Sequence, residues 1–170
     1  MSTEPVVELE TATGFKLEVR PAHPGDEAAL SAFFSHVTKE DLRFRFLRSV
    51  EKVPDADIAA MTHVDHVRTE DFLALVPGTA RIIASVMLAA DKAMETAEVA
   101  IAIDAEFKGR DIEHVLLEHV TEFAKLHGLK RLQSIESREN RATIELERSM
   151  GFKARGVDGD PMLVVLETSL

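Results

Sequence analysis

Phe107-Lys108-Gly109-Arg110-Asp111-Ile112-Glu113 lies between an apolar, β-branched run and an amphipathic one. A helix starting here leaves its first backbone N–H groups without intrahelical partners, and such groups bind phosphate. Gly109 permits close approach of the backbone to a ligand. Lys108 and Arg110 supply cations beside it. Asp111 and Glu113 oppose an anion with bulk and negative charge, yet acidic residues in a first helical turn also complement the helix dipole. Two readings stay open: an anion site, or a helix terminus capped by its own side chains. The Gly-Lys-Ser/Thr order of a P-loop is missing.

Other constellations carry less chemistry. The chain has no cysteine, which excludes disulfides, thiolate nucleophiles and Cys-ligated zinc. It has no tyrosine, which removes one catalytic acid. His63-x-x-His66, with Asp65 between, lacks a third ligand, and His114, His119 and His127 do not share one helix face at ligand spacing. No metal is expected. Ser134, Ser137 and Ser149 lack a nucleophile-elbow context. Arg43, Arg45 and Arg48 read as a solvated helix face, or as the acceptor side of a cleft.

The 170 residues suit one domain, with residues 1–14 as an N-terminal extension. A net charge of −10 argues against a non-specific nucleic-acid binder. No apolar run is long enough to span a bilayer, and the acidic start Met1-Ser2-Thr3-Glu4 does not read as a secretory signal. These features point to the cytoplasm, with no membrane or nucleic-acid partner.

Several elements must position the anion stretch. Phe15–Arg20 alternates as a half-buried strand. Asp26 opens a helix with Ala29, Leu30 and Phe33. Thr38 caps a second through Leu42, with Asp41 in the capping-box position, and Pro54 starts a third with Ile58 and Met61. Strands follow at Phe72–Val76, Arg81–Ala89 and Ala97–Ile103. A helix runs from about Arg110 to His127, stopped by Gly128. Arg131–Ile135 is a strand, Ala142–Ser149 a helix, and Phe152–Val157 and Met162–Glu167 are strands. Asn140 stands at the N-cap of the helix that opens with Ala142. The order βααα, βββ, αβαββ describes a three-layer mixed α/β domain with a partly antiparallel sheet.

Ala97-Glu98-Val99-Ala100-Ile101-Ala102-Ile103, followed by Lys108 to Glu113, resembles the core motif of GNAT acetyltransferases: a strand, then Gln/Arg-x-x-Gly-x-Gly/Ala, then a helix. Glu139-Asn140-Arg141-Ala142 and Ser149-Met150-Gly151-Phe152 resemble the closing motif. Val19-Arg20-Pro21 and Glu40-Asp41-Leu42-Arg43-Phe44-Arg45-Phe46 are most similar to the bacterial protein-lysine acetyltransferase (Pat) branch. The resemblance covers roughly residues 15 to 157. It implies the GNAT acyl-CoA N-acyltransferase fold, a mostly antiparallel sheet of about six or seven strands flanked by helices. Within it, Ala97–Ile103 splays from Arg131–Ile135.

The resemblance also implies roles. Acetyl-CoA is the cosubstrate. Its pyrophosphate meets Lys108, Gly109, Arg110, Asp111, Ile112 and Glu113, and its pantetheine arm meets Asn140. Strand N–H groups near Ala100, Ile101, Ala102 and Ile103 polarise the thioester carbonyl. Glu98 takes the place of the Pat branch's general base; it also reads as a solvent-facing strand residue beside Ala100 and Ala102. Many GNAT enzymes carry a tyrosine acid on the last helix, where this chain has Glu147. The acceptor is an amine, with a protein lysine as the implied class; a homo-oligomer is left open. Asp111 and Glu113 stand where the family has small residues, so weak acetyl-CoA binding is expected. The alternative function is a GNAT-fold binding or regulatory module without acyl transfer.

Overall fold

The computed structural model describes residues 6–170, so the acidic start Met1 to Glu4 lies outside the described residues. Strands β1 (Val7–Glu10) and β2 (Lys16–Pro21) are followed by helices α1 (Glu27–Phe34), α2 (Lys39–Phe46) and α3 (Asp55–Thr62). Then come β3 (Thr69–Leu75), β4 (Ile82–Ala90), β5 (Thr96–Ile103), α4 (Ile112–Leu126) and β6 (Arg131–Ser137). Helix α5 (Arg141–Ser149) leads to β7 (Lys153–Val157) and β8 (Asp160–Ser169). All eight strands form one sheet in the order β1-β2-β3-β4-β5-β6-β8-β7. Every pairing is antiparallel except β5 with β6.

Both faces of the sheet are covered, and the side-chain period of two sorts residues between them. Along β3, Phe72 and Ala74 pack with Ile112, Leu116 and Val120 of α4. Leu73 and Leu75 pack with Leu30 and Phe33 of α1 and Ile58 of α3. This two-sided burial explains why β3 reads as a continuous apolar run. Thr38 caps α2 as expected, its hydroxyl accepting from Asp41 N at 3.1 Å.

The expected splay is present. β5 and β6 pair at Thr96↔Arg131, Ala97↔Leu132 and Glu98↔Gln133 and no further. Beyond Glu98, β5 stays with β4 as far as Ile103, while β6 stays with β8 as far as Ser137. A gap opens between two strands that each remain held on their outer side.

Three boundaries differ from the sequence reading. The eighth strand is β1, inside the segment assigned to an extension; it is a short, mostly exposed edge whose Val-Glu-Leu-Glu pattern gives little signal. Helix α4 begins at Ile112 rather than Arg110, because Gly109 (φ 76°) and Asp111 (φ 65°) are left-handed and cannot join a right-handed helix. β6 extends past Ile135 to Ser137 because Glu136 and Ser137 keep partners in β8.

Leu132 is 0% exposed at the point where β5 and β6 part. Leu132→Ala should cost about 2–5 kcal/mol through lost burial and a residual cavity. Urea denaturation checks this; a loss under about 1 kcal/mol would mean the strand root is not a packed anchor.

Candidate active-site cleft

The gap between β5 and β6 opens into a continuous cleft floored by β5 and walled by α2, α4 and α5. Its outer part, about 290 Å³, is lined by Ile101, Ala102 and Ile103 of β5 and by Lys108, Gly109 and Asp111 of the loop before α4. Its inner part, about 70 Å³, is lined by Glu98, Ala100 and Ile101 of β5 and by Ser134 and Glu136 of β6. Ile101, Glu113, Asn140 and Thr143 border both parts, so the two are one passage.

Among the described residues, no side chain caps the outer end. Asp111 holds the N-cap position of α4 without a side-chain cap hydrogen bond. Its carboxylate instead lies 3.5 Å from His114 Nδ1. Glu113 turns inward and accepts from Thr143 Oγ1 at 2.9 Å. The α4 terminus beside the cleft is thus left without a side-chain cap at its N-cap residue, and uncapped helix termini bind phosphate. Lys108 lines this end, with its ammonium 2.6 Å from Asp41 Oδ2 of α2.

The profile of the acetyltransferase (GNAT) family matches residues 36–152. The chain belongs to the GNAT acetyltransferase family. It is 25% identical over 154 residues to an acetyltransferase of Pseudomonas aeruginosa, covering 89% of this chain and 83% of that protein. Its fold matches the GNAT domain of S. lividans PAT with a TM-score of 0.89, at 24% identity and with 97% of each chain covered. It also matches spermidine N-acetyltransferase from Vibrio cholerae, solved with CoA and spermine, with a TM-score of 0.72. That likeness covers 90% of this chain and 95% of the other at 16% identity.

Most residues singled out on the GNAT resemblance converge on the cleft. Glu98, Ala100, Ile101, Ala102, Ile103, Lys108, Gly109, Asp111, Ile112, Glu113 and Asn140 all border it. Arg110 does not. Its guanidinium stacks 4.8 Å from the Phe107 ring and 5.5 Å from that of Phe15, and donates to Glu106 O. Asn140 stands at the N-cap of α5 without capping it; its amide donates to Glu136 Oε2 at 3.3 Å. His63 and His66 face different carboxylates, Glu27 and Glu70.

The structure adds Glu136, which the sequence reading did not single out. Glu136 borders the inner chamber with Glu113, Glu147, Ser134 and Thr143. Burial pushes Glu136 up to about 9, and the neighbouring Glu147 adds to the shift. Burial likewise raises Glu147 and Glu113. The signal was a polar stripe, Asn140, Thr143 and Glu147, at positions where a buried helix face carries apolar residues. Of the two readings given for Arg45, the structure favours the cleft over the solvated face: it borders the inner chamber, and its Nε is buried without a hydrogen-bond partner among the described residues. Burial lowers its pKa, opposed chiefly by Asp71 and Glu98. Asp71, 0% exposed and bonded to Ser85, is pushed up to about 7 by burial.

A carboxyl with a raised folded-state pKa binds its proton more tightly when folded. Its stabilisation is full below the unfolded value of 4.5 and is lost as pH rises toward the folded value. Glu136→Gln should match the wild type at pH 4.5 and exceed it increasingly at higher pH. A gain of about 1 kcal/mol would appear as a rise of about 2–4 °C in Tm for a domain of this size. Melting curves across pH check this; equal Tm at alkaline pH would show that Glu136 is not in a desolvated site.

Proposed function

We propose that this protein is an enzyme that transfers an acetyl group from acetyl-CoA to an amine, with a protein lysine as the acceptor class. The observation that carries this reading is the single cleft joining an uncapped helix terminus to Glu98 through the β5–β6 gap. Three features fit an acyl-CoA. The α4 terminus offers N–H groups to a diphosphate. The gap is where strand backbone groups are free to bond a pantetheine arm. The outer groove is lined by apolar Ile101, Ala102, Ile103 and Leu146. When bound, acetyl-CoA supplies the activated acyl carbon.

The chain's own residues do the rest. Backbone N–H groups of Ala100 to Ile103 polarise the thioester carbonyl from the floor of the cleft. Glu98, exposed on β5 at the inner end, takes the proton that the attacking amine must shed. The acidic chamber favours a cationic acceptor. The lysine assignment draws on the similarity of Val19-Arg20-Pro21 and the Glu40–Phe46 segment to the Pat branch, together with the fold likeness to the S. lividans PAT domain.

A binding module that no longer transfers acyl groups was the competing reading, and it rested on carboxylates closing the helix terminus. Asp111 and Glu113 do not cap it. Glu113 is committed to Thr143 and Asp41 to Lys108, which leaves Asp111 as the carboxylate that opposes the phosphate end. Asp111 at φ 65° occupies a conformation that glycine adopts without strain.

Asp111→Gly should therefore strengthen acetyl-CoA binding, more at low salt, without lowering Tm. Calorimetric titration with parallel melting checks it; unchanged affinity in a folded variant would clear Asp111 of any opposing role. Glu98→Gln should lower turnover by about 10²-fold with donor affinity unchanged. Near-normal turnover, at a pH where the amine is mostly protonated, would remove Glu98 from the mechanism.

A further inference from the structure

Acetyl transfer releases a thiolate, which needs a proton, and this chain has no tyrosine to give one. Among the described residues, no histidine, lysine or cysteine lines the inner chamber. Lys108 and His114 border only the outer part, each beside a carboxylate. The chamber instead holds carboxyl groups from four elements: Glu98 of β5, Glu113 of α4, Glu136 of β6 and Glu147 of α5.

Glu136 of β6 and Glu147 of α5 line the same inner chamber of about 70 Å³, and the nearby Glu147 helps to hold Glu136 protonated. Two ionised carboxylates in so small a chamber repel each other, which favours a proton on one of the two. Neighbouring groups fix the pair in place. Ser134 Oγ bonds Glu147 Oε2, and Asn140 Nδ2 bonds Glu136 Oε2. Glu147 is 2% exposed, whereas Glu136 is half-buried on the strand that edges the gap. The charged groups facing the pair are Glu113 from α4, Glu98 from β5 and Arg45 from α2, with Asp41 and Lys108 farther out along the cleft. With both members of the pair ionised, four carboxylates would face one enclosed guanidinium, which leaves no charge balance.

We propose that Glu136 and Glu147 share one proton and that Glu136 delivers it to the sulfur of the departing thiol. This rests on the acetyl-transfer reading above. The amine nitrogen forms the C–N bond with its lone pair, the C–S bond breaks, and its electron pair goes to sulfur. Glu98 takes the proton shed by nitrogen; Glu136 gives one to sulfur. The products are an amide and a thiol. The pair, left doubly ionised, regains a proton from water, and Glu98 returns its own to water. Glu136 is the catalytic residue, and Glu147 is a positioning residue that holds the shared proton.

The test begins on the unliganded protein. The infrared difference between wild type and Glu136→Gln at neutral pH should contain a protonated-carboxyl C=O band. In turnover, the wild type should lose kcat at alkaline pH as the pair ionises. Glu136→Gln should lower kcat by about 10²-fold, leave KM for acetyl-CoA nearly unchanged and lack that alkaline limb. Glu147→Gln removes a neighbouring negative charge, so its alkaline limb should move to lower pH; this also serves if the first variant fails to fold. Absence of the infrared band, wild-type kcat in folded Glu136→Gln, or an unmoved limb in Glu147→Gln each overturns the proposal while leaving Glu98 as base. A wild type that shows no heat on titration with acetyl-CoA and no transfer overturns the acetyl-transfer reading itself, and the proton-delivery role with it.

Discussion

The parting of β5 and β6 after Glu98↔Gln133 is the constraint on which the cleft depends. A buried backbone group needs a hydrogen-bond partner, and a sheet ordinarily supplies it from the next strand. Past Glu98, β5 has that partner only on the β4 side. The gap is stable because each strand is held elsewhere, β5 by seven register pairs with β4 and β6 by seven with β8. Helices α4 and α5 then close over it, and Glu113, Thr143 and Glu147 reach its base. The open ladder groups and the enclosed carboxyls thus have one structural origin.

Enclosure decides the electrostatics. Ion pairs on the surface of this acidic chain, such as Lys39 with Glu51, are exposed on both sides and contribute little. Within the gap, solvent no longer screens like charges, and carboxyls lower their cost by keeping protons. Arg45 and Asp71 extend this polar seam into the core between α2 and β3, where each leaves one buried polar atom without a partner among the described residues. A line of buried ionisable groups beside a cleft is where proton chemistry is expected.

The architecture was legible because it is written in patterns local to each element. The alternation of Phe15 to Arg20, the stripe Ile112, Leu116 and Val120, and the turn residues between them required no knowledge of distant contacts. The strand-loop-helix stretch from Ala97 to Glu113 named most of the cleft's outer wall. The inner chamber was not legible in the same way. Glu113, Glu136 and Glu147 come from three elements, and only the fold makes them neighbours. Ending β6 at Ile135 hid Glu136, whose place depends on pairing with Val164 of β8. Arg45 looked like its neighbours Arg43 and Arg48, yet Arg43 bonds Glu139 and Arg48 bonds Asp57 nearer the surface, and Arg45 turns inward toward Asp71 and Glu98. Asp111 was read as a first-turn residue because its left-handed φ leaves no compositional trace.

The central claim is that one ligand occupies both the β5 edge and the α4 terminus. Amide hydrogen exchange with and without acetyl-CoA tests it most directly. The account predicts slower exchange in two separate segments, residues 99–103 of β5 and residues 109–114 at the start of α4, with β1 and β7 unchanged. Protection confined to another surface, or none in either segment at saturating acetyl-CoA, would contradict it.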